Sequence, residues 1–273
     1  MSDKHNSILF ITDIHQNISS IKKIDFSKYD SVICGGDILD PVNPDVKISK
    51  KIIDLLPSNT FIIPGNCDKD SIIIEYMQEK LNFIHKKFSF INNIPILGIG
   101  YSRNIEEDLK VYREYFLKDT NRIYAFIEKN KLRFLLDFCG IKVISNNEIK
   151  VVPFEDTYEL SKEYINKFQS FDENEIEELF STIDSLEGGI LLTHSPPYGV
   201  LDMLDGLPNI GSVSIASGIK KTKPAIVLCG HFHELYSKTT IYSSTIFNPG
   251  AIKDDRYGVI TISENFEFEF KKI

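Results

Sequence analysis

Five short apolar runs in this 273-residue chain each end abruptly in a polar cluster. SILFIT runs into DIHQN, DSVIC into GGDILD, TFIIP into GNCDKD, GGILLT into HSPPYG, and AIVLC into GHFHE. Unbroken hydrophobicity over roughly four to six residues, rich in β-branched side chains, is the pattern of strands buried on both faces. Helical spacing fills the gaps. PDVKISKKIIDLLP puts Val46, Ser49, Ile52, Ile53 and Leu56 on one side and stops at Pro57, and SIIIEYMQEK follows GNCDKD in the same manner. Strand, polar turn, helix, strand is the rhythm of a layered α/β fold. Two antiparallel hairpins are predicted as well, around Asn92-Asn93 in FSFINNIPIL and around Glu264-Asn265 in GVITISENFEFEF, so the sheets are expected to be mixed.

The middle of the chain differs. From about Asn104 to Glu187 the pattern turns helical. DLKVYREYFLK places Leu109, Tyr112, Phe116 and Leu117 on one face, and RIYAFIEKNKLRFLLDFCG reads as a longer helix closed by Gly140. With none of the five clusters in it, this stretch reads as a mainly helical insertion or cap at about 104–187, inside a single domain spanning 1–273. Residues 155–187 hold eleven acidic side chains against two lysines, which accounts for the whole formal charge of −8; a solvated helical face suits such a run. That balance argues against a general nucleic-acid-binding surface and leaves nucleic acid only as a substrate. No apolar run has the length of a membrane span or a secretory leader, so no membrane association is expected. Cys34, Cys67, Cys139 and Cys229 show no paired spacing, and a cytoplasmic location with reduced thiols is the expectation.

In open α/β sheets, ligands gather at the carboxyl ends of the strands. The five clusters would therefore bring Asp13, His15, Asp37, Asn66, His194, His231 and His233 to one edge, with four of the chain's six histidines among them. Each alone has a plain structural reading. Asp13 could cap a helix, Gly36-Asp37 could be a turn, Asn66 could sit in a left-handed bend, and His194 could be a hydrogen-bonded core ring. Together those readings need five coincidences at equivalent strand ends. Imidazoles, carboxylates and an amide oxygen are a donor set for borderline divalent ions, and a carboxylate can bridge two of them about 3.5–4 Å apart.

The order D-x-H, GD, GN-[H/C]-D, H, GHxH resembles the metallophosphoesterase (calcineurin-like phosphoesterase) superfamily. It is carried here by Asp13-Ile14-His15, Gly36-Asp37, Gly65-Asn66-Cys67-Asp68, His194 and Gly230-His231-Phe232-His233. The GNCD, THSPPYG and NPGA turns are similar to a prokaryotic branch of it. The resemblance implies a four-layer αββα sandwich, two mixed β-sheets flanked by helices. By position it implies Asp13, His15, Asp37 and His233 on a first metal and Asp37, Asn66, His194 and His231 on a second, with Asp37 bridging. The implied cofactors are two divalent ions, manganese foremost, with iron, zinc, nickel or cobalt as alternatives. The implied activity is hydrolysis of a phosphate-ester substrate by a hydroxide bridging the two metals, with Asn66 and His194 counted among the catalytic residues.

Many members of the superfamily carry histidine where Cys67 stands, contacting phosphate or assisting the leaving group. A thiol replaces an imidazolium poorly as a proton donor near neutral pH. With ligands and nucleophile supplied elsewhere, Cys67 reads as a bystander beside the substrate, ahead of a third ligand type or a covalent nucleophile. Asp68 reads as orienting the Asn66 loop. The clusters offer few cations for a dianionic monoester, which favours a phosphodiester. The alternatives are a phosphomonoesterase or nuclease of the same fold, or a catalytically silent protein-binding module. Arg103 and Tyr198 could approach a phosphate, although surface charge and packing are their ordinary uses, and His5 and His85 receive no role. The apolar faces of the middle segment are a candidate surface for a homo-oligomer.

Overall fold

The structure, a computed structural model, describes residues 6–129, 133–145, 148–204, 207–263 and 265–273. In the first part lie β1 (Asn6–Ile11), β2 (Ser31–Cys34), β3 (Phe61–Ile62), β4 (Asn82–Phe83), β5 (Phe88–Ile91) and β6 (Ile94–Ile99). The middle adds β7 (Ile141–Ser145) and β8 (Glu148–Val151). The rest supplies β9 (Ile190–Thr193), β10 (Ile226–Leu228), β11 (Ser237–Ile241), β12 (Ser244–Asn248), β13 (Arg256–Ile262) and β14 (Phe266–Lys272). One sheet runs β14-β13-β1-β2-β3-β4 and the other β11-β12-β10-β9-β6-β5. Both are mixed: β1 to β4 pair in parallel while β13 joins β1 antiparallel, and β6, β9, β10 and β12 are parallel between antiparallel β5 and β11.

Alternation along buried strands sorts the core into layers. Ile8 and Phe10 of β1 point toward the second sheet and meet Ile96, Leu192, Ile226, Leu228 and Phe247. Leu9 and Ile11 point the other way, onto Ile52, Ile53, Ile73 and Met77 of helices Val46–Leu55 and Ser71–Lys80. On the far side, Leu97, Ile99, Leu191 and Val227 are covered by Ile176 and Phe180 of helix Glu173–Ser181 and by Ile215 and Ile219 of helix Val213–Thr222. Helix, sheet, sheet, helix is the order of the layers. At about 1.5–3 kcal/mol per fully buried aliphatic side chain, these three contact layers are the main source of cohesion.

Both predicted hairpins are present. Asn92 and Asn93, at φ 49° and 70°, form the tight turn between β5 and β6, where two positive φ values match the twist of the flanking strands. Strands β13 and β14 pair from Arg256↔Lys272 to Ile262↔Phe266; Glu264 of their predicted turn lies outside the described residues.

The middle segment, expected to be mainly helical, differs from the sequence reading in three details. β7 and β8 pair antiparallel, so part of it is extended. The stretch expected as one helix is helical at Asn121–Lys129 and at Arg133–Phe138, with residues 130–132 outside those described. Leu109, Tyr112 and Phe116 of helix Ile105–Lys118 are buried as expected, but Leu117 is 40% exposed. A separate apolar cluster joins these helices to Ile141, Leu207, Ile210 and Phe232, and the last of these sits between His231 and His233.

Candidate metal centre

Each of the seven expected ligands follows a strand end. Asp13 and His15 come after β1, Asp37 after β2, Asn66 after β3, His194 after β9, and His231 and His233 after β10. The structure brings all seven together. Asp13, His15 and His233 place one donor atom each within 4.8 Å of one another, as do Asp13, Asp37 and His194, and also His15, Asp37 and Cys67.

The turns that deliver these side chains are sharp. Asp13, His15, Asp37 and His231 all have positive φ (54°, 43°, 54° and 70°), a conformation that costs a non-glycine residue about 1–2 kcal/mol. Main-chain bonds across neighbouring loops hold them there. Asp13 N–H donates to the Gly36 carbonyl (3.0 Å), His15 N–H to Asp37 (2.8 Å) and Gln16 N–H to Ile38 (2.9 Å). Gly65 is required for space, since a β-carbon there would collide with Asp37 Oδ1.

Asp68, fully buried, ties two of the loops together. Its Oδ1 accepts from the N–H groups of Ile38 and Leu39, and its Oδ2 from Gly65 N–H, all at 2.9 Å. Burial and the neighbouring Asp37 carboxylate push its carboxyl up to about 7, against the pull of the Leu39 and Gly65 donors. The role expected for Asp68, orienting the Asn66 loop, has this geometry behind it.

The imidazoles are oriented through the nitrogen that does not face the centre. His194 Nδ1 lies 2.8 Å from the Gly35 carbonyl and His15 Nδ1 lies 3.1 Å from that of Leu39. A neutral ring whose Nδ1–H donates in this way presents an Nε2 lone pair inward. His15 Nε2 then meets His233 Nε2 at 3.3 Å, and His194 Nε2 meets Asn66 Oδ1 at 2.8 Å. His231 Nδ1 lies 2.9 Å from that same oxygen, and His233 Nε2 lies 3.1 Å from Asp13 Oδ1. Ring nitrogens, an amide oxygen and carboxylate oxygens this close in a buried site call for positive charge between them, as protons or as metal ions.

Without an ion, protons on the rings supply part of that positive charge. Burial works against ionisation of Asp13 and Asp37, yet the imidazoles of His233 and His194, respectively, hold both well below the usual carboxylate range. Burial lowers His194, but the Asp37 carboxylate outweighs it and raises the ring to about 9. Burial and the adjacent His194 push His231 down to about 3. This donor set fits divalent cations: every side chain is of a type they take, and the candidate ligand atoms converge.

Cys67 is 6% exposed and its thiol donates to Asp37 Oδ2 at 3.0 Å. Burial and that carboxylate push the thiol far above its ordinary range, so it stays protonated and is a poor nucleophile.

The open side of the centre is a cavity of about 330 Å³. Besides five of the seven ligands and Cys67, its walls include Pro41, Val42, Tyr164, Phe168 and Lys253. Sequence reasoning missed these. Pro41 and Val42 directly follow GDILD, and Lys253 follows NPGA, so proximity to a motif was the available signal. Tyr164 and Phe168 had none. Arg103 is neither at the cavity nor on the surface: with its side chain 14% exposed, it lies 3.3 Å from Asp108 and 3.7 Å from Glu107. Tyr198 is 49% exposed and does not line the cavity. His85 is half-buried and accepts the Gly100 N–H at 2.9 Å, while His5 lies outside the described residues.

Two mixed sheets between helices, with carboxylates, histidines and an asparagine gathered at the strand ends, define a metal-dependent hydrolase class. A family model for calcineurin-like phosphoesterases matches residues 7–235, and the chain belongs to that family, whose members hydrolyse phosphate esters with bound metal. It is 26% identical over 254 residues to the uncharacterized protein MJ1162 of Methanocaldococcus jannaschii, covering 90% of this chain and 88% of that one. It overlays on the crystal structure of TT1561 from Thermus thermophilus with a TM-score of 0.53 and 16% identity, over 98% and 99% of the two chains. A further solved chain overlays with a TM-score of 0.63 and 13% identity, again over 98% and 99%. Likeness at these identities establishes the fold. No helix among the described residues is long and apolar enough to cross a membrane.

Proposed function

We propose that this chain is a phosphodiesterase that works with two divalent ions, manganese favoured. The carrying observation is the convergence of ligand-type atoms from five strand-end loops, with His15 Nε2 beside His233 Nε2 and His194 Nε2 beside Asn66 Oδ1. Asp13, His15, Asp37 and His233 would hold one ion, and Asp37, Asn66, His194 and His231 the other. Such a pair supplies acidified water and a positive clamp on the phosphoryl oxygens. The chain's own contribution is placement. The Gly35 and Leu39 carbonyls fix the ring orientations of His194 and His15, and Asp68 fixes the loop that carries Asn66.

Lys253 is the one lysine or arginine among the described residues lining the cavity. A single cation beside the centre suits a monoanionic diester better than a dianionic monoester, which supports the diesterase reading. Cys67 stays a bystander next to the substrate, its proton held on Asp37. The segment around 104–187 serves as a cap, with Tyr164 and Phe168 over the centre, and its exposed Leu117, Ile144 and Val151 make it the candidate homo-oligomer surface. Four buried free thiols fit a reducing, cytoplasmic setting.

The test is hydrolysis of bis-p-nitrophenyl phosphate by chelator-stripped protein, with and without Mn²⁺. A rate that returns with metal is expected. A folded protein that shows no rate with any divalent ion overturns the reading and leaves a binding module of the same fold.

A further inference from the structure

A second cavity, of about 500 Å³, adjoins the one over the metal centre. Asp40, Pro41 and Cys67 line both. The same short stretch of the middle segment roofs both, Tyr164 and Phe168 over the first, Asn166 and Lys167 over the second. That roof is pinned to the site loops: Gln169 N–H donates to the carbonyl of Asn66 at 2.7 Å, Phe171 N–H to that of Ser102 at 3.0 Å, and Lys69 Nζ to that of Asn166. Cys67, whose thiol is smaller than an imidazole, is one of the three residues that the two cavities share.

We propose that the two cavities act as one groove that takes both organic arms of a phosphodiester, with the phosphate above the histidine–carboxylate cluster. This rests on the phosphodiesterase reading and names its substrate class: a two-armed diester with at least one nucleoside-sized arm. The first cavity alone lies at the low end of the roughly 300–1,000 Å³ that small-ligand sites occupy. It holds a phosphate and one flat arm, placed against the Tyr164 and Phe168 rings, whose centroids are 5.0 Å apart, and against Pro41 and the 70%-exposed Val42. The larger cavity takes the second arm. Its apolar walls are Leu39, Pro44 and Ile72, with Lys69 and Lys167 at its edge. Its two carboxylates accept main-chain N–H groups through Oδ1, Asp40 from Val42 and Asn43 and Asp70 from Ile72, all at 2.8 Å, which orients them and leaves Oδ2 as an acceptor for the hydroxyl groups of a sugar-bearing arm.

Ile72 gives a test outside the catalytic machinery, because it lines only the second cavity and is 50% exposed. Ile72→Trp fills that space, and Ile72→Ala leaves it open. The probes are thymidine 5′-(p-nitrophenyl phosphate), with a nucleoside arm, and methyl p-nitrophenyl phosphate, without one. Native protein loaded with Mn²⁺ should favour the nucleoside ester in kcat/KM by about tenfold or more, the scale set by filling an apolar pocket. Ile72→Trp should remove most of that preference through KM while the methyl-ester rate holds, and Ile72→Ala should keep it. An unchanged preference in folded Ile72→Trp overturns the groove. If neither ester is cleaved with any divalent ion, the phosphodiesterase reading falls separately. Equilibrium dialysis of the nucleoside ester then judges the groove by itself: weaker binding to Ile72→Trp supports it, and equal binding refutes it.

Discussion

Replacing Asp68 by asparagine changes one atom in the clamp that holds two ligand loops, and the cost follows from its three contacts. Oδ1 serves Ile38 and Leu39 while Oδ2 serves Gly65. An asparagine keeps the pair by presenting its oxygen to Ile38 and Leu39. Its NH₂ group then faces the Gly65 N–H, donor against donor, in a fully buried spot. The lost charge-assisted bond is worth about 1.5–3 kcal/mol, and an unsatisfied buried N–H costs about 1–3 kcal/mol. These overlap, and removing a charge that burial and Asp37 disfavour offsets part of them, so the expected loss is about 1–2 kcal/mol. For a chain of this size each kcal/mol lowers the melting temperature by roughly 2–4 °C, which puts the shift at about 2–8 °C. Melting should be followed by circular dichroism in chelator, so that the clamp is measured apart from any bound ion. Metal affinity of the refolded variant should also drop roughly 10–100-fold, the usual effect of removing a residue that orients ligands. An Asp68→Asn protein that melts with the native one in chelator would refute the assignment of Asp68 as the tie between the loops.

At position 67, Cys67→His should raise the rate on diesters with poor leaving groups relative to activated ones, because an imidazolium donates a proton that the buried thiol retains. An unchanged ratio between alkyl and nitrophenyl leaving groups would count against any leaving-group role there. His85 provides a pH signature of the fold. Burial lowers it to about 4, so between its ordinary 6.5 and that value the unfolded chain binds a proton that the folded one refuses. Stability should therefore fall by up to about 3 kcal/mol as pH drops from 7 to 4. His85→Gln, which can still accept the Gly100 N–H, should flatten this slope in urea titrations at pH 7 and 4.5, and an equal slope would exclude His85 as its source.

Much of this architecture is legible in the sequence because its central strands are buried on both faces. Ile8 to Ile11 needs apolar residues at every position, and the chain turns polar at Thr12 and Asp13, where the strand leaves the core. Asn92-Asn93 announces its hairpin because asparagine tolerates the positive φ of both turn positions. β7 and β8 were not read from the sequence, because the short alternations Ile141-Lys142-Val143 and Ile149-Lys150-Val151 lie inside a segment whose longer runs are helical. Leu117 satisfied the helical period and still faces outward, since periodicity says which residues share a face and not where the covered arc ends. The ligands were legible because each follows a strand end. Tyr164, Phe168 and Ile72 were not, since aromatic and aliphatic residues on a helix or just past its end have the same local pattern whether they fill a core or wall a cavity.

The ligands are divided between the two sheets: Asp13, His15, Asp37 and Asn66 leave the first, and His194, His231 and His233 leave the second. Neither sheet holds a complete donor set. The centre comes into being only where residues from near opposite ends of the chain have met. Once ions occupy it, they act as a clasp across the interface between the sheets. Prying the sheets apart then means giving up the ions, so the free energy of metal binding adds to resistance against unfolding and proteolysis. A centre built for chemistry thereby doubles as a lock that closes only on the finished fold.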